Sequence, residues 1–353
     1  NILKNEPENI WDNWKDTNVV PPTLKIFQQG AGNGKTYGIW KSICENKDKK
    51  TFIVITKQHS AKNVIYEELL DQTYRKEYHI ENLTQKTEDN TMRHYCIKYT
   101  HKVSKRACCV LIGTVDSFCY NLSHSDNTDG NLFKSILNNI KNKGCTKLTQ
   151  YGHTKFAGQE IFINRESELW IDEVQDLPIS YLYAFARLMF DTSCDINIVG
   201  DKLQSLEYEQ NFLTEVVKEK LPNIKVIIEM EKNNNRRIKV KGMHNKINEL
   251  INFKEYGLKE ISCDENNLVS SEREQIEIIV SPIIYARDDN DEKINAYVSE
   301  IIKKVAFQVN EYKYTPENFS FIFPIMKQNI LAVELQTKLQ QFWLDKFREK
   351  NYI

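Results

Sequence analysis

Gln29-Gly30-Ala31-Gly32-Asn33-Gly34-Lys35-Thr36 follows the apolar run Leu24-Lys25-Ile26-Phe27 and precedes a helix-like stretch, so this part of the chain reads as strand, glycine-rich loop, then helix. Glycines let backbone N–H groups approach an anion with no Cβ in the way. A helix N-terminus adds a partial positive charge and Lys35 a full one. The stretch is therefore expected to cradle phosphate, with the Thr36 hydroxyl placed to hold Mg2+. The strict form of this pattern has Gly where the chain has Gln29, and the plainer reading of the same residues is a glycine-rich turn before a helix.

Downstream, the short apolar strand Glu168-Leu169-Trp170-Ile171 runs directly into Asp172-Glu173-Val174-Gln175-Asp176. Carboxylates at the carboxyl end of a buried strand are costly, and in open α/β sheets that edge is where ligands bind. Asp172 is placed to hold Mg2+ directly or through water, and Glu173 to orient and deprotonate the water that attacks a γ-phosphate. An acidic turn after a strand is the bland alternative, and the Lys35-Thr36 loop upstream weighs against it.

With these two segments in order, the chain resembles the superfamily 1 helicases of the UvrD/Rep/PcrA type. GAGNGKT at 30–36 is similar to that family's AGAGSGKT loop, DEVQD at 172–176 to its DExQD box, and Val199 to Leu206 to its third motif, GDxxQSI. Phe52 to Lys57 resembles motif Ia, and Gly113 to Phe118 resembles the GT-hydrophobic-H/D-SF segment. Glu231 to Arg237, followed by the amphipathic His244 to Ile251, resembles motif IV with its Asn-x-Arg core. The boxes DEVQD and GDKLQSL favour the DNA-translocating branch over the RNA-directed nonsense-decay helicases, which carry DEAxQ.

The resemblance implies an α/β P-loop NTPase with two RecA-like parallel-sheet domains, the second incomplete, that uses ATP and Mg2+ on single-stranded DNA, RNA being less expected. It puts Gln29, Gly30, Ala31, Gly32, Asn33, Gly34, Lys35, Thr36 and Gln175 at the nucleotide, and Thr36 and Asp172 at the metal. Glu173 and Gln204 are the expected catalytic and γ-phosphate-sensing residues, joined by Arg236 or Arg237. Asn234-x-Arg236 and Asn235-x-Arg237 both fit motif IV, and the spacing to Asn248 slightly favours Arg237. Thr56, Lys57, Thr114 and Ser117 are expected to bond nucleic-acid phosphates, and Phe118 either supports a base or packs. The basic cluster Lys98, His101, Lys102, Lys105 and Arg106 extends this track or is a solvated face. The implied function is an ATP-dependent single-stranded-DNA translocase and helicase. The alternatives are a DNA-stimulated ATPase that remodels protein–DNA complexes without unwinding, and a nucleotide-binding module with vestigial hydrolysis.

Departures from the family pattern matter as much. After the third motif the chain has Leu206 to Phe212, leaving Tyr208 and Phe212 as the residues to stack on bases, with core packing preferred for both. No adenine-reading Gln motif is visible from Trp11 to Pro22, and the family's motifs V and VI are absent from the 353 residues. An incomplete motor is therefore expected, and the start at Asn1 agrees with an excerpt of a longer protein.

Composition bounds this reading. The formal charge of −1 requires any nucleic-acid contact to come from a local surface. Eight cysteines without a C-x-x-C pair read as reduced thiols of an intracellular protein, and no apolar run approaches the roughly 18 residues of a membrane span. The apolar runs 24–27, 52–55, 109–112, 169–171 and 196–199 predict five strands of a mainly parallel sheet in a first domain over 1–221, with an insertion over 121–165. A partial second domain over 222–353 is expected to open on the strand Ile224 to Ile228. Further strands are expected at Gln275 to Val280 and Phe319 to Phe323, each followed by a helix.

Overall fold

The computed structural model describes residues 20–70, 77–84, 94–124, 132–156, 158–205, 210–218, 221, 223–240, 242–264, 266, 268, 291–321 and 329–347. The chain divides into two compact units, Asn1–Ile276 and Glu277–Ile353. The strands are β1 (Thr23–Gln29), β2 (Thr51–Thr56), β3 (Tyr78–Asn82), β4 (Tyr95–His101), β5 (Ala107–Thr114), β6 (Thr154–Phe156), β7 (Gln159–Ile161), β8 (Ser167–Asp172), β9 (Asp195–Gly200) and β10 (Lys225–Lys232). Eight of them form one sheet in the order β10-β1-β9-β8-β2-β5-β4-β3, and β6 and β7 form a separate hairpin. From β10 to β5 every pairing is parallel; β4 and β3 finish the sheet as an antiparallel edge. The architecture is mixed α/β with a large, mostly parallel sheet, the kind of frame that α/β P-loop NTPases use.

The five runs singled out in the sequence are β1, β2, β5, β8 and β9, all in the parallel part. Central parallel strands are covered on both faces and so read as continuous apolar stretches, as Thr51–Thr56 does, with every residue after the first buried. Alternation divides them between two layers. Ile53, Ile55, Leu169, Ile171, Ile196 and Ile198 face one core, where Phe118, Phe185 and Phe212 also lie. Phe52, Val54, Trp170 and Val199 face the other, against Ile39, Trp40 and Ile43 of helix α1 (Lys35–Glu45) and Ile65 and Leu69 of α2 (His59–Leu69).

Helix α3 (Val115–Leu122) leaves the end of β5 and is followed by α4 (Leu132–Lys143), α5 (Thr146–Tyr151) and the β6–β7 hairpin. This region is the insertion read over 121–165, and its packing is on the main core: Ile136, Leu137 and Ile140 of α4, Leu148 of α5 and Phe156 of β6 are buried in the same cluster as β2 and β8. Helix α6 (Ile179–Thr192) covers that face beside α4. A one-turn helix α7 (Phe212–Glu215) follows, capped reciprocally by Asn211 and Thr214. Phe212 is buried there, in agreement with core packing, while Tyr208 lies outside the described residues.

The expected boundary at 221/222 is corrected by the sheet. The strand read as the opening of a second domain is β10, and it pairs in parallel with β1 from Thr23↔Lys225 to Ile26↔Ile228. Its β-forming residues were legible; its partner was not, because parallel partners are set by long-range register rather than by local pattern. Helix α8 (Met243–Leu250) follows in the same unit.

In the second unit, α9 (Asp291–Tyr312) and α10 (Ile330–Lys346) pack Ile294, Val298, Val305 and Val309 against Leu335 and Leu339. Its described residues contain no strand: Phe319 to Phe321 follow a 3-10 turn, and the strand expected at Gln275 to Val280 falls outside the described residues. Among the described residues no helix is long and apolar enough to cross a membrane.

Candidate functional site

The glycine-rich loop joins the end of β1 to the N-terminus of the eleven-residue helix α1. Gly34, the residue before the helix, has φ 73°, a left-handed conformation that a side chain disfavours. Gly30 is closely packed, since a Cβ there would collide with the amide of the buried Asn233 side chain. The loop is therefore a fitted turn whose amides, with the helix end, suit an anion.

Lys35 Nζ donates to Glu173 Oε2 at 2.9 Å and reaches Gln204 Oε1 at 3.5 Å. Glu173 stands just past β8 with φ 54° and ψ 46°, an unusual conformation for a residue with a side chain and one that concentrates at functional sites. Its carboxylate is also held by Gln175, whose Nε2 donates to Glu173 Oε2 at 2.8 Å while its Oε1 accepts from the Asp201 N–H at 3.1 Å. Gln175 thus ties the end of β8 to the end of β9, a positioning part that its place in the acidic box did not reveal.

Asp172, the last residue of β8, is buried and accepts from the Glu173 N–H at 3.0 Å. Burial pushes its carboxyl up to about 7; the Glu173 carboxylate adds to the rise, and the Lys35 ammonium opposes it. Asp201 is also raised by burial, opposed by the N–H of Leu203. A carboxylate so placed has a strong electrostatic reason to take a cation. With Thr36 at the start of α1, the set has hard-oxygen chemistry suited to Mg2+.

The segment that resembles motif IV makes contacts its spacing does not reveal. Beyond β10 the chain lies along the glycine loop: Asn235 Nδ2 donates to Ala31 O at 2.7 Å and the Arg236 N–H to Gly32 O at 2.9 Å. Asn235 Oδ1 in turn accepts from the N–H groups of Arg237 and Ile238. Asn233 and Asn235 are buried, and backbone bonds to Ser262 hold the segment from behind. Arg236 Nη1 lies 3.7 Å from where a Cβ on Gly34 would sit, so its guanidinium borders the loop. The run Asn233-Asn234-Asn235 was the available signal. It was read only as motif spacing, whereas its amides serve as clamps.

The expected nucleic-acid residues are more scattered. Thr56 and Thr114 share a register at the ends of β2 and β5, beside Asp172 at the end of β8. Both are buried, and the Thr56 hydroxyl has no hydrogen-bond partner. Thr56 and Lys57 line a cavity of about 520 Å3 with Glu173, Gln175 and Gln204. Ser117 is half-buried and paired with His94.

Of the two readings of Phe118, the packing one holds and the base-supporting one is corrected: it is fully buried, 6.4 Å from the Phe185 ring and 5.9 Å from that of Phe156, and offers no face to a base. Its helical position next to Ser117 did not show which way it turns. The basic cluster does not extend the track and fits its other reading, a solvated face. Lys102, Lys105 and Arg106 form the turn between β4 and β5, at the start of an eight-residue strand whose far end carries Thr114. At about 3.3 Å per residue they sit some 25 Å from that edge.

No protein-family model and no curated protein matches the chain. Among the solved structures that resemble it are two crystal forms of the large terminase from the thermophilic bacteriophage D6E, each at 12% identity. One covers 72% of this chain and 50% of that chain with a TM-score of 0.32; the other covers 69% and 49% with 0.31. The chain thus spans about half the length of the terminase structures, and a likeness this weak carries no weight beside the geometry of the site itself.

Proposed function

We propose that the chain is the nucleotide-hydrolysing part of a motor of the UvrD/Rep type that acts on single-stranded nucleic acid, DNA in the first place. One observation carries the reading: Lys35, Asp172, Glu173 and Gln204 converge at the carboxyl edge of one parallel sheet, on the loop that begins α1. The loop amides and Lys35 would bind the β- and γ-phosphates of ATP. Bound Mg2+ would neutralise the phosphate oxygens, and Thr36 and Asp172 are the residues with the chemistry to hold it. A phosphate competing for Lys35 Nζ weakens its bond to Glu173, leaving that carboxylate to orient a water and take its proton. Gln175 keeps Glu173 from swinging away meanwhile, and Arg236 adds positive charge at the same loop.

The nucleic-acid half of the reading is supported by Thr56 and Lys57, which line one cavity with Glu173 and Gln204. A strand held there would touch the residues that handle the γ-phosphate. The test is ATP turnover by the chain with and without oligothymidylate, beside Glu173→Gln. The variant is expected to keep ATP affinity while losing about 10²-fold or more in turnover, and the oligonucleotide to accelerate the parent. Equal loss of binding and turnover in Glu173→Gln would assign that residue a structural part. No acceleration would reject the nucleic-acid half.

A further inference from the structure

Three aromatic residues at the far end of α3 are unusually exposed: Tyr120 at 50%, Tyr151 at 56% and Phe162 at 57%. Tyr151 lines a cavity of about 520 Å3 together with Asn121, Lys147, His153, Lys155 and Glu160. Tyr151, His153 and Phe162 form a row, with ring centroids 6.5 and 5.7 Å apart and planes inclined by 45° and 56°. Rings so tilted do not cover one another. Lys147 Nζ lies 4.4 Å over the Tyr120 ring and donates to Tyr120 O at 2.7 Å, which fixes one wall. Lys155 is exposed, and the acidic member, Glu160, lies 3.6 Å from His153 Nε2.

The platform is tied to the core. Thr154 Oγ1 donates to Asn121 O at 2.7 Å, joining the hairpin to α3, and Phe156 and Leu148 anchor the hairpin and α5 in the core. Open aromatic faces interleaved with lysines match a strand that carries a flat base and a phosphate at every step. A protein-binding hot spot would call for a continuous apolar centre. Helix α3 links this face to the sheet edge: it starts after Thr114 and spans eight residues, about 12 Å.

We infer that the face built by the end of α3, α5 and the β6–β7 hairpin binds single-stranded nucleic acid, stacking bases on Tyr151, His153 and Phe162 beside Lys155. This rests on the proposed motor only in taking its strand to be the one bound here. The experiment is fluorescence anisotropy of the full chain with labelled oligothymidylate and with an abasic strand of equal length, on the parent, Tyr151→Phe, and Tyr151→Ala combined with Phe162→Ala. The double variant is expected to weaken oligothymidylate binding about tenfold or more, to leave abasic binding unchanged, and to melt at the parent's temperature. Tyr151→Phe is expected to bind as the parent does. Unchanged oligothymidylate affinity in the double variant, equal loss on the abasic strand, or no binding by the parent would overturn the inference. ATP turnover measured alongside separates the two readings. Intact turnover with unchanged strand affinity sinks the platform alone, and intact, variant-sensitive strand binding without turnover sinks the motor alone.

Discussion

Replacing Asp172 with Asn is expected to make the chain more stable while removing its use for the metal. The carboxyl is raised from an ordinary 3.8 to about 7, chiefly by burial and then by the Glu173 carboxylate. A carboxyl whose pKa is raised on folding favours the folded state fully below the unfolded value. That contribution is lost as pH rises toward the folded value, so the penalty is complete above about pH 7. The rise is about three pH units at about 1.4 kcal/mol each, which bounds the penalty at about 4 kcal/mol. The amide relieves both the burial and the Glu173 contributions, and with that figure as an upper bound about 1–3 kcal/mol is expected from Asp172→Asn. The amide keeps an oxygen to accept from the Glu173 N–H, so the turn after β8 is preserved. The assay is urea denaturation of parent and variant between pH 5 and 8.5 without divalent cations or nucleotide. The variant should gain most at the alkaline end, with its advantage shrinking as pH falls. A variant less stable at pH 8, or an advantage that does not change with pH, would refute the reasoning.

Asn235→Ala should weaken ATP binding about tenfold and lower stability by about 1–3 kcal/mol, since it removes the bond to Ala31 O and leaves the Arg237 and Ile238 N–H groups unpaired; calorimetric titration and denaturation measure the two effects. Lys35→Ala should abolish ATP turnover, as it deletes the one full positive charge within the loop sequence 29–36, and near-parent turnover would place the chemistry elsewhere. Phe118→Ala should cost about 3–5 kcal/mol of stability, as a large buried ring does, while strand affinity measured below the melting transition stays at the parent's level.

Where chemistry and local pattern coincide, the sequence was informative. The loop Gly30 to Thr36 and the box from Asp172 to Gln175 were legible as the segments that follow β1 and β8, because glycines and carboxylates placed directly after apolar strands are a local pattern. The parallel core strands were legible because burial on both faces leaves continuous apolar runs. Features that depend on which distant segment arrives alongside were hidden. Thr154 to Ile161 forms a hairpin on the main core, Phe118 turns inward, and Asn235 reaches back 204 residues to Ala31, none of which is written in local periodicity. The antiparallel edge from β3 to β4 was missed for a related reason: β3 alternates partly buried and exposed residues in a short polar stretch, which gives little contrast to read.

The seat of β10 bears on where this protein can be cut. A truncation after Leu221 would keep every residue of the loop and the acidic box, yet it would uncover the whole hydrogen-bonding margin of β1 from Thr23 to Gln29. A bare, apolar strand margin of that kind recruits other chains. The same cut would remove Asn233, Asn235 and Arg236, so the surviving glycine loop would lose its outer splint. Soluble expression therefore calls for a terminus beyond Ser262, the residue whose backbone closes the segment over the loop.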